Sequence, residues 1–157
     1  MKLLFKQRLF SWFDSYDIYN ENEEIVYTVE GKLSWGHKRV ISDIYGCEIG
    51  MIKEEVLTFL PRFALYINGN KIGQIKKEFS FFAPSFKLDC MEWTVKGNFL
   101  EWDYSITDNL GNEIAVISKK IFSWTDTYII DINDSKNAVF VLMIVLAIDA
   151  AKCSSSD

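Results

Sequence analysis

The chain is short of the residues from which recognisable chemistry is usually built. Its single histidine, His37, sits in the turn-like stretch Trp35-Gly36-His37-Lys38. Any His-dependent triad or metal centre would have to run through that one residue, which reads as an ordinary loop position. Three cysteines, Cys47, Cys90 and Cys153, are odd in number and far apart. That spacing suits neither a disulfide framework nor a thiolate metal site, and they read as reduced thiols of a cytosolic protein. The sequence contains no Cys-x-x-Cys, no Gly-rich phosphate loop and no dinucleotide fingerprint. Glu23-Glu24 and Glu54-Glu55 are adjacent acids, which on strands point to opposite faces and so do not form catalytic pairs. No catalytic residue, metal or cofactor is expected.

Positive charge is also in deficit. Lys and Arg number 17 against 22 Asp and Glu, a net charge of −5 and a pI near 5.0. Nucleic acid is therefore not an expected partner, because its binding is driven by cations that displace phosphate counterions. A membrane-spanning run is missing too: the longest apolar stretch, 138–148, is little more than half of the ~20 residues a spanning helix needs. At the N-terminus, Lys6 and Arg8 interrupt before a signal-peptide core can build, so export by that route is not expected.

What remains is material for a core. The 157 residues suit one domain, expected over 1–152, and 153–157 (Cys-Ser-Ser-Ser-Asp) are expected to be a disordered tail. Apolar residues make up 49%, with five Trp, seven Tyr and twelve Phe to fill an interior. The segment 137–150 reads as a helix without a polar face, so it must be buried on all sides or lie in lipid. As a helix it is roughly 21 Å long at 1.5 Å per residue, and a six-residue strand covers roughly 20 Å. An apolar rod threaded through a closed antiparallel barrel would satisfy both partners, since the barrel needs a core and closure leaves no sheet edge. Asp131, Asp134 and Ser135 precede the rod, where they could cap its free N–H groups.

From residue 8 to 130 the pattern is short β-type runs broken by Gly, Asn and Asp. Candidate strands are 25–29, 38–42, 48–52, 62–67, 71–75, 86–89, 91–95, 100–107, 113–118 and 125–130. The chain also repeats. Tyr27-Thr28-Val29-Glu30-Gly31 returns as Trp93-Thr94-Val95-Lys96-Gly97, and after one gap the ten residues from Asp43 to Ile52 return as Asp108 to Ile117. A shorter echo runs from Asn68 to Lys77. Each contains an Asx/Gly hairpin turn followed by Ile-x-x-Ile, with a small residue after the first Ile: Gly50, Gly73, Ala115. Facing inward, a residue that small leaves room for something bulky beside it.

These repeated Asp/Gly hairpins, the block Phe122-Ser123-Trp124-Thr125-Asp126-Thr127-Tyr128-Ile129-Ile130-Asp131 and the ending Ile148-Asp149-Ala150 together resemble the LURP-one-related (LOR, YxjI-like) family. That family belongs to the tubby C-terminal-like superfamily, which includes the phospholipid scramblases. The resemblance covers about 7–151. It implies a mainly β fold: a closed, antiparallel, about twelve-stranded tubby-like barrel around a buried C-terminal helix. It implies little about activity, since most members have no assigned biochemical role. Tubby domains bind phosphoinositide headgroups through exterior basic residues, and no motif places those residues on this chain.

Two features could bind a ligand. Lys38, Arg39, Lys53, Lys76, Lys77, Lys119 and Lys120 fall near the ends of candidate strands, and gathered on one rim they could hold an anionic headgroup or phosphate despite the negative total. The competing reading is that lysines after strands aid solubility and protect edges. Residues 1–13 are basic and aromatic, and could lie on a membrane surface or pair as a first strand that buries Phe5, Trp12 and Phe13. Asp149 is the odd acid at the end of the apolar run: either a carboxylate at the barrel mouth held by loop N–H groups or Lys152, or a perturbed acid in a pocket. The function expected is a non-enzymatic cytosolic binding or scaffold module, peripheral at the membrane, that recognises anionic lipid headgroups or phosphorylated ligands through exterior lysines. Its candidate partners are an anionic lipid or a protein, and nothing in the sequence sets an oligomeric state. The alternative is a small enzyme or metabolite-binding protein with its site at the barrel mouth near Asp149. A lipocalin-like carrier is disfavoured because the helix fills the space a ligand would need.

Overall fold

A computed structural model describes residues 1–6, 15–32, 34–79, 84–122 and 125–154. Among them, twelve strands form a closed antiparallel barrel: β1 (Lys2–Lys6), β2 (Ser15–Asn20), β3 (Ile25–Lys32), β4 (Lys38–Ser42), β5 (Glu48–Glu54), β6 (Arg62–Ile67), β7 (Asn70–Glu78), β8 (Ser85–Leu88), β9 (Trp93–Asn98), β10 (Asp103–Thr107), β11 (Glu113–Phe122) and β12 (Thr125–Ile132). Each strand pairs with its neighbours in sequence, and β1 pairs with β12 to close the ring. A 3-10 turn, Ser135–Asn137, leads into the one α-helix, α1 (Ala138–Ser154).

The helix fills the barrel. Every residue from Val141 to Ala151 is buried, on all faces, as the absence of a polar stripe requires. Around it the walls turn one side chain in two inward: Phe63 and Leu65 from β6, Tyr104 and Ile106 from β10, Tyr128 and Ile130 from β12. Burying one large apolar side chain contributes about 1.5–3 kcal/mol, so this shared core is what holds the two parts together. No helix among the described residues is long and apolar enough to cross a membrane.

The sequence repeat is a repeat of structure. Strands β3 to β5 correspond to β9 to β11, six strands on and therefore half a turn of the barrel away. Asp43 Oδ1 accepts from the N–H groups of Tyr45 and Cys47, and Asp108 Oδ1 accepts in the same way from Leu110 and Asn112. Both hairpins carry an irregularity at the same place, after Ile41 and after Ile106, which sets Ile41 opposite Gly50 and Ile106 opposite Ala115. The third echo does likewise after Leu65, opposite Gly73. The glycines of these turns, Gly46, Gly69 and Gly111, have φ of 79°, 77° and 84°, the left-handed region that side chains disfavour. Of the small inward residues, Gly50 makes room for the helix: a Cβ there would lie 3.1 Å from Val139 Cγ1. Gly73 makes room for something else, since the turn at Asp89 and Cys90 packs over it.

Several boundaries differ from the sequence reading. Strand β2 was absent from it, because Ser15–Asn20 interleaves Asp17 and polar ends with its apolar residues. Residues 1–6 do form a first strand, with Leu3 and Phe5 inward; Trp12 and Phe13 lie outside the described residues, as do Ser123 and Trp124. Asp131 belongs to β12 and meets Lys2 Nζ at 3.6 Å instead of capping the helix. Asp134 does cap, but at the 3-10 turn ahead of α1, where its side chain accepts from Lys136 N–H. The helix runs to Ser154, past the expected end at 150, and 155–157 lie outside the described residues.

Candidate functional site

Because the strands simply alternate in direction, the barrel has two chemically different ends. Gly50, early in β5, lies against Val139 at the start of α1, whereas Arg39, early in β4, meets Asp149 near its finish. Connections leaving the even-numbered strands therefore gather where α1 starts. They are tight turns carrying carboxylates: Glu21, Glu23 and Glu24, then Asp43, then Asp89 and Glu92, then Asp108. Connections leaving the odd-numbered strands gather where α1 finishes, and Lys38, Lys53, Lys76, Lys77, Lys119 and Lys120 all lie in the strand ends there. The turns where α1 starts are thus mostly acidic, and most of the lysines collect at the other end beside a second set of acids, Glu30, Glu54, Glu55, Glu78, Glu101 and Asp103.

Register decides which of those cations meet. On the outer face, Lys32 of β3 stands opposite Lys38 of β4, which stands opposite Lys53 of β5. A second row lies beyond it, where Arg62 of β6 faces Lys76 of β7, which faces Lys87 of β8. Directly opposed residues on antiparallel strands have Cβ atoms about 4.5–5.5 Å apart, and like charges so placed repel. Partial compensation exists: Lys32 Nζ is 2.6 Å from Glu30, and Arg62 Nη1 is 3.8 Å from Glu55. Arg62 Nε is buried with no hydrogen-bond partner among the described residues. Between the rows is a groove of about 250 Å³ lined by Trp35, Lys53, Glu54, Glu55, Val56, Ala64 and Tyr66. Its acids are engaged, Glu55 with Lys71 Nζ at 2.9 Å and Glu54 with His37 Nδ1 at 2.7 Å.

The structure thus divides the expected set of basic residues. It joins Lys38 to Lys53 and puts Lys76 between Arg62 and Lys87. By strand parity Lys77 and Lys119 belong to the inward set at the mouth, with Lys77 opposite buried Phe86 and Lys119 Nζ 6.0 Å from the centroid of the Tyr128 ring. Lys120 is on β11, half a turn from β5. The sequence reading missed Lys32, Arg62 and Lys87. Counting outward from the Asn68-Gly69 turn, with allowance for the irregularity after Leu65, would have paired Arg62 with Lys76.

Arg39 is not an exterior residue. It shares the inward parity of Ile41, and only 6% of its side chain is exposed. Its Nη1 donates to Asp149 Oδ2 at 2.9 Å and to Tyr16 Oη at 3.1 Å. Asp149, expected at the barrel mouth, is the other half of this pair, with a side chain 5% exposed. Burial holds its carboxyl above the usual carboxylate range, and the charge and hydrogen bond of Arg39 offset only part of that. Across the barrel, Tyr104 occupies the place in the repeat that Arg39 holds in β4. Its hydroxyl has no hydrogen-bond partner among the described residues, and burial together with Asp149 raises its pKa well above the ordinary value. Phe5, Tyr16, Trp102 and Tyr128 pack into a continuous aromatic plug at this end, with Trp102 and Tyr128 centroids 4.1 Å apart. Lys152 reaches from the helix to that plug, 4.4 Å from the centre of the Trp102 ring. The interior cluster therefore ties the end of the helix to the wall.

Among the described residues, no three His, Cys, Asp or Glu side chains come together as a metal-binding set. Cys47 and Cys90 are free and exposed.

Comparison with known proteins finds similarity along nearly the whole chain. An uncharacterised protein of Bacillus subtilis (strain 168), YxjI, is 27% identical over 158 residues, an alignment covering 100% of this chain and 97% of that protein. The model of the LURP-one-related family matches residues 1–149, from the first strand to the buried aspartate of the helix. With nearly the whole barrel and its central rod inside that match, the chain belongs to the LURP-one-related family.

Proposed function

We propose that the protein is a non-enzymatic binding module whose cation-bearing outer wall, at the end where α1 finishes, holds anionic headgroups or phosphorylated ligands. The observation that supports this reading is the pair of cross-strand rows, Lys32-Lys38-Lys53 and Arg62-Lys76-Lys87. Three like charges in register across three strands destabilise a free sheet, and a bound anion turns that repulsion into attraction. Carboxylates at both ends contribute to the net charge of −5, and within the rows Lys32 pairs with Glu30 and Arg62 with Glu55. The other expectation, an enzyme or metabolite site near Asp149, is not advanced, because that carboxylate is enclosed and already engaged by Arg39.

The test is calorimetric titration with two soluble probes, inorganic tripolyphosphate and short-chain phosphatidylglycerol below its micelle concentration. The wild type should bind at least one of them, with affinity falling steeply with salt. The variant Lys38→Ser/Lys53→Ser/Lys76→Ser/Lys87→Ser should lose that binding while melting normally. Equal affinity in the two proteins, or no binding by the wild type, would end the proposal.

A further inference from the structure

We infer that the end of the barrel where α1 finishes docks end-on against an anionic lipid bilayer, with its hairpin tips inserted into the interfacial layer. This rests on the anion-binding reading of the same wall and names a bilayer, not a soluble phosphorylated molecule, as its target. It comes from the apolar side chains that the loops at this end leave in water.

The loop between β3 and β4 exposes Trp35, 88% solvated. That between β5 and β6 exposes Val56, Leu57 and Phe59, the last two 103% and 94% solvated. Phe79 after β7 and Leu100 after β9 are exposed as well. The turns at the opposite end expose Ile44, Tyr45 and Leu110 too, but beside the carboxylates of Asp43 and Asp108 and away from the lysine rows. Leu57 has φ of 65°, the left-handed region in which a side chain with a Cβ is strained. Its side chain is fully exposed, so burial in the fold does not offset that strain.

The position of the tips relative to the cations suits a membrane. Trp35 is three residues from Lys38, Leu57 four from Lys53, and Phe79 three from Lys76. At about 3.3 Å per residue for fully extended chain, each tip stands at most roughly 10–13 Å from its lysine. A plane touching the tips therefore brings the ammonium groups to headgroup depth while the apolar groups reach the acyl boundary, the arrangement by which amphipathic surfaces hold an interface. The Trp35 and Val56 loops adjoin at the groove, while Phe79 and Leu100 belong to other loops of the mouth, and lysines lie between these loops along the wall. The far end has acidic turns and no lysine row, so an anionic surface favours this end even though Glu54, Glu55, Glu78 and Glu101 lie here as well.

The experiment is flotation of the full chain with phosphatidylglycerol–phosphatidylcholine vesicles and with pure phosphatidylcholine vesicles, combined with quenching of tryptophan emission by brominated acyl chains. Wild type should float with the anionic vesicles only, and its emission should be quenched. The variant L57S/F59S/L100S alters exposed positions outside the groove between the cation rows, so it should melt as wild type does and bind the soluble probes equally. Its partition onto anionic vesicles should fall at least about 100-fold, since each large apolar side chain withdrawn from water contributes about tenfold or more. If this variant floats as wild type does, or if wild type binds the soluble probes but does not float, insertion is overturned while the anion-binding reading stands. If wild type neither floats nor binds the soluble probes, both are overturned.

Discussion

Removing either member of the Arg39–Asp149 pair should be among the most damaging single changes in the molecule. The two side chains are 6% and 5% exposed and 2.9 Å apart, so each is the main charge compensation for the other in a site nearly without water. Truncating one partner of such a pair costs about 3–5 kcal/mol, because the survivor stays buried and uncompensated. Against a total of about 5–15 kcal/mol for a typical domain, that is a large fraction. For a chain of this size each kcal/mol moves the melting temperature by about 2–4 °C, so Arg39→Met or Asp149→Leu alone should lower it by roughly 6–20 °C. Replacing both should behave quite differently. A well-packed apolar pair is often equal to a buried ion pair or about 1–4 kcal/mol better, so Arg39→Met/Asp149→Leu should return close to wild type or exceed it. Urea unfolding followed by tryptophan fluorescence at neutral pH reads all four proteins, with a constant m-value as the check that only stability has changed. Singles within about 1 kcal/mol of wild type, or a double variant equal to the sum of the singles, would refute the reasoning.

Other consequences can be checked in the same way. Asp149 is raised from an ordinary value of 3.8, so the folded state binds its proton more tightly than the unfolded chain. The stability this contributes is fully present below about 3.8 and is lost as pH rises through the folded value. The wild-type urea midpoint minus that of the double variant should therefore decline across that window and level off above it, and a flat or rising difference would count against it. Gly50→Val should cost about 1–3 kcal/mol by overpacking, since even a Cβ would stand 3.1 Å from Val139 and 3.6 Å from Met143, and unchanged melting would mean the rod does not touch that wall. Asp43→Ala and Asp108→Ala should each cost about 1 kcal/mol or somewhat more, from the two turn N–H bonds lost at each and, at Asp108, the bond from Asn112 Nδ2 as well. Their effects should add, because the turns are half a barrel apart; strong non-additivity would argue against independent repeats. Val145→Asp places an unpaired charge where the side chain is 2% exposed, and a soluble, cooperatively folding product would contradict the buried-rod architecture.

The sequence by itself determined the rod and the barrel around it. An apolar run with no polar face, too short for a bilayer and matched in length to a strand, has few other places to go, and the repeated Asp-to-Ile hairpins stated their own turns and their small inward residues. Periodicity of this kind survives in one dimension because each position's environment is set by residues a few places away. Other features depended on closure. Arg39 looked like its exterior neighbour Lys38, yet a one-residue step in a strand changes the face, and its partner Asp149 lies 110 residues away. The cation rows were hidden for a related reason: Lys32, Lys38 and Lys53 are directly opposed only once the register of two strand pairs is fixed, and a slip of one residue would turn each side chain to the other face. Composition gave a negative chain, and only the alternating direction of the strands gathered most of its lysines at one end, with Trp35, Leu57, Phe59, Phe79 and Leu100 in the loops beyond them.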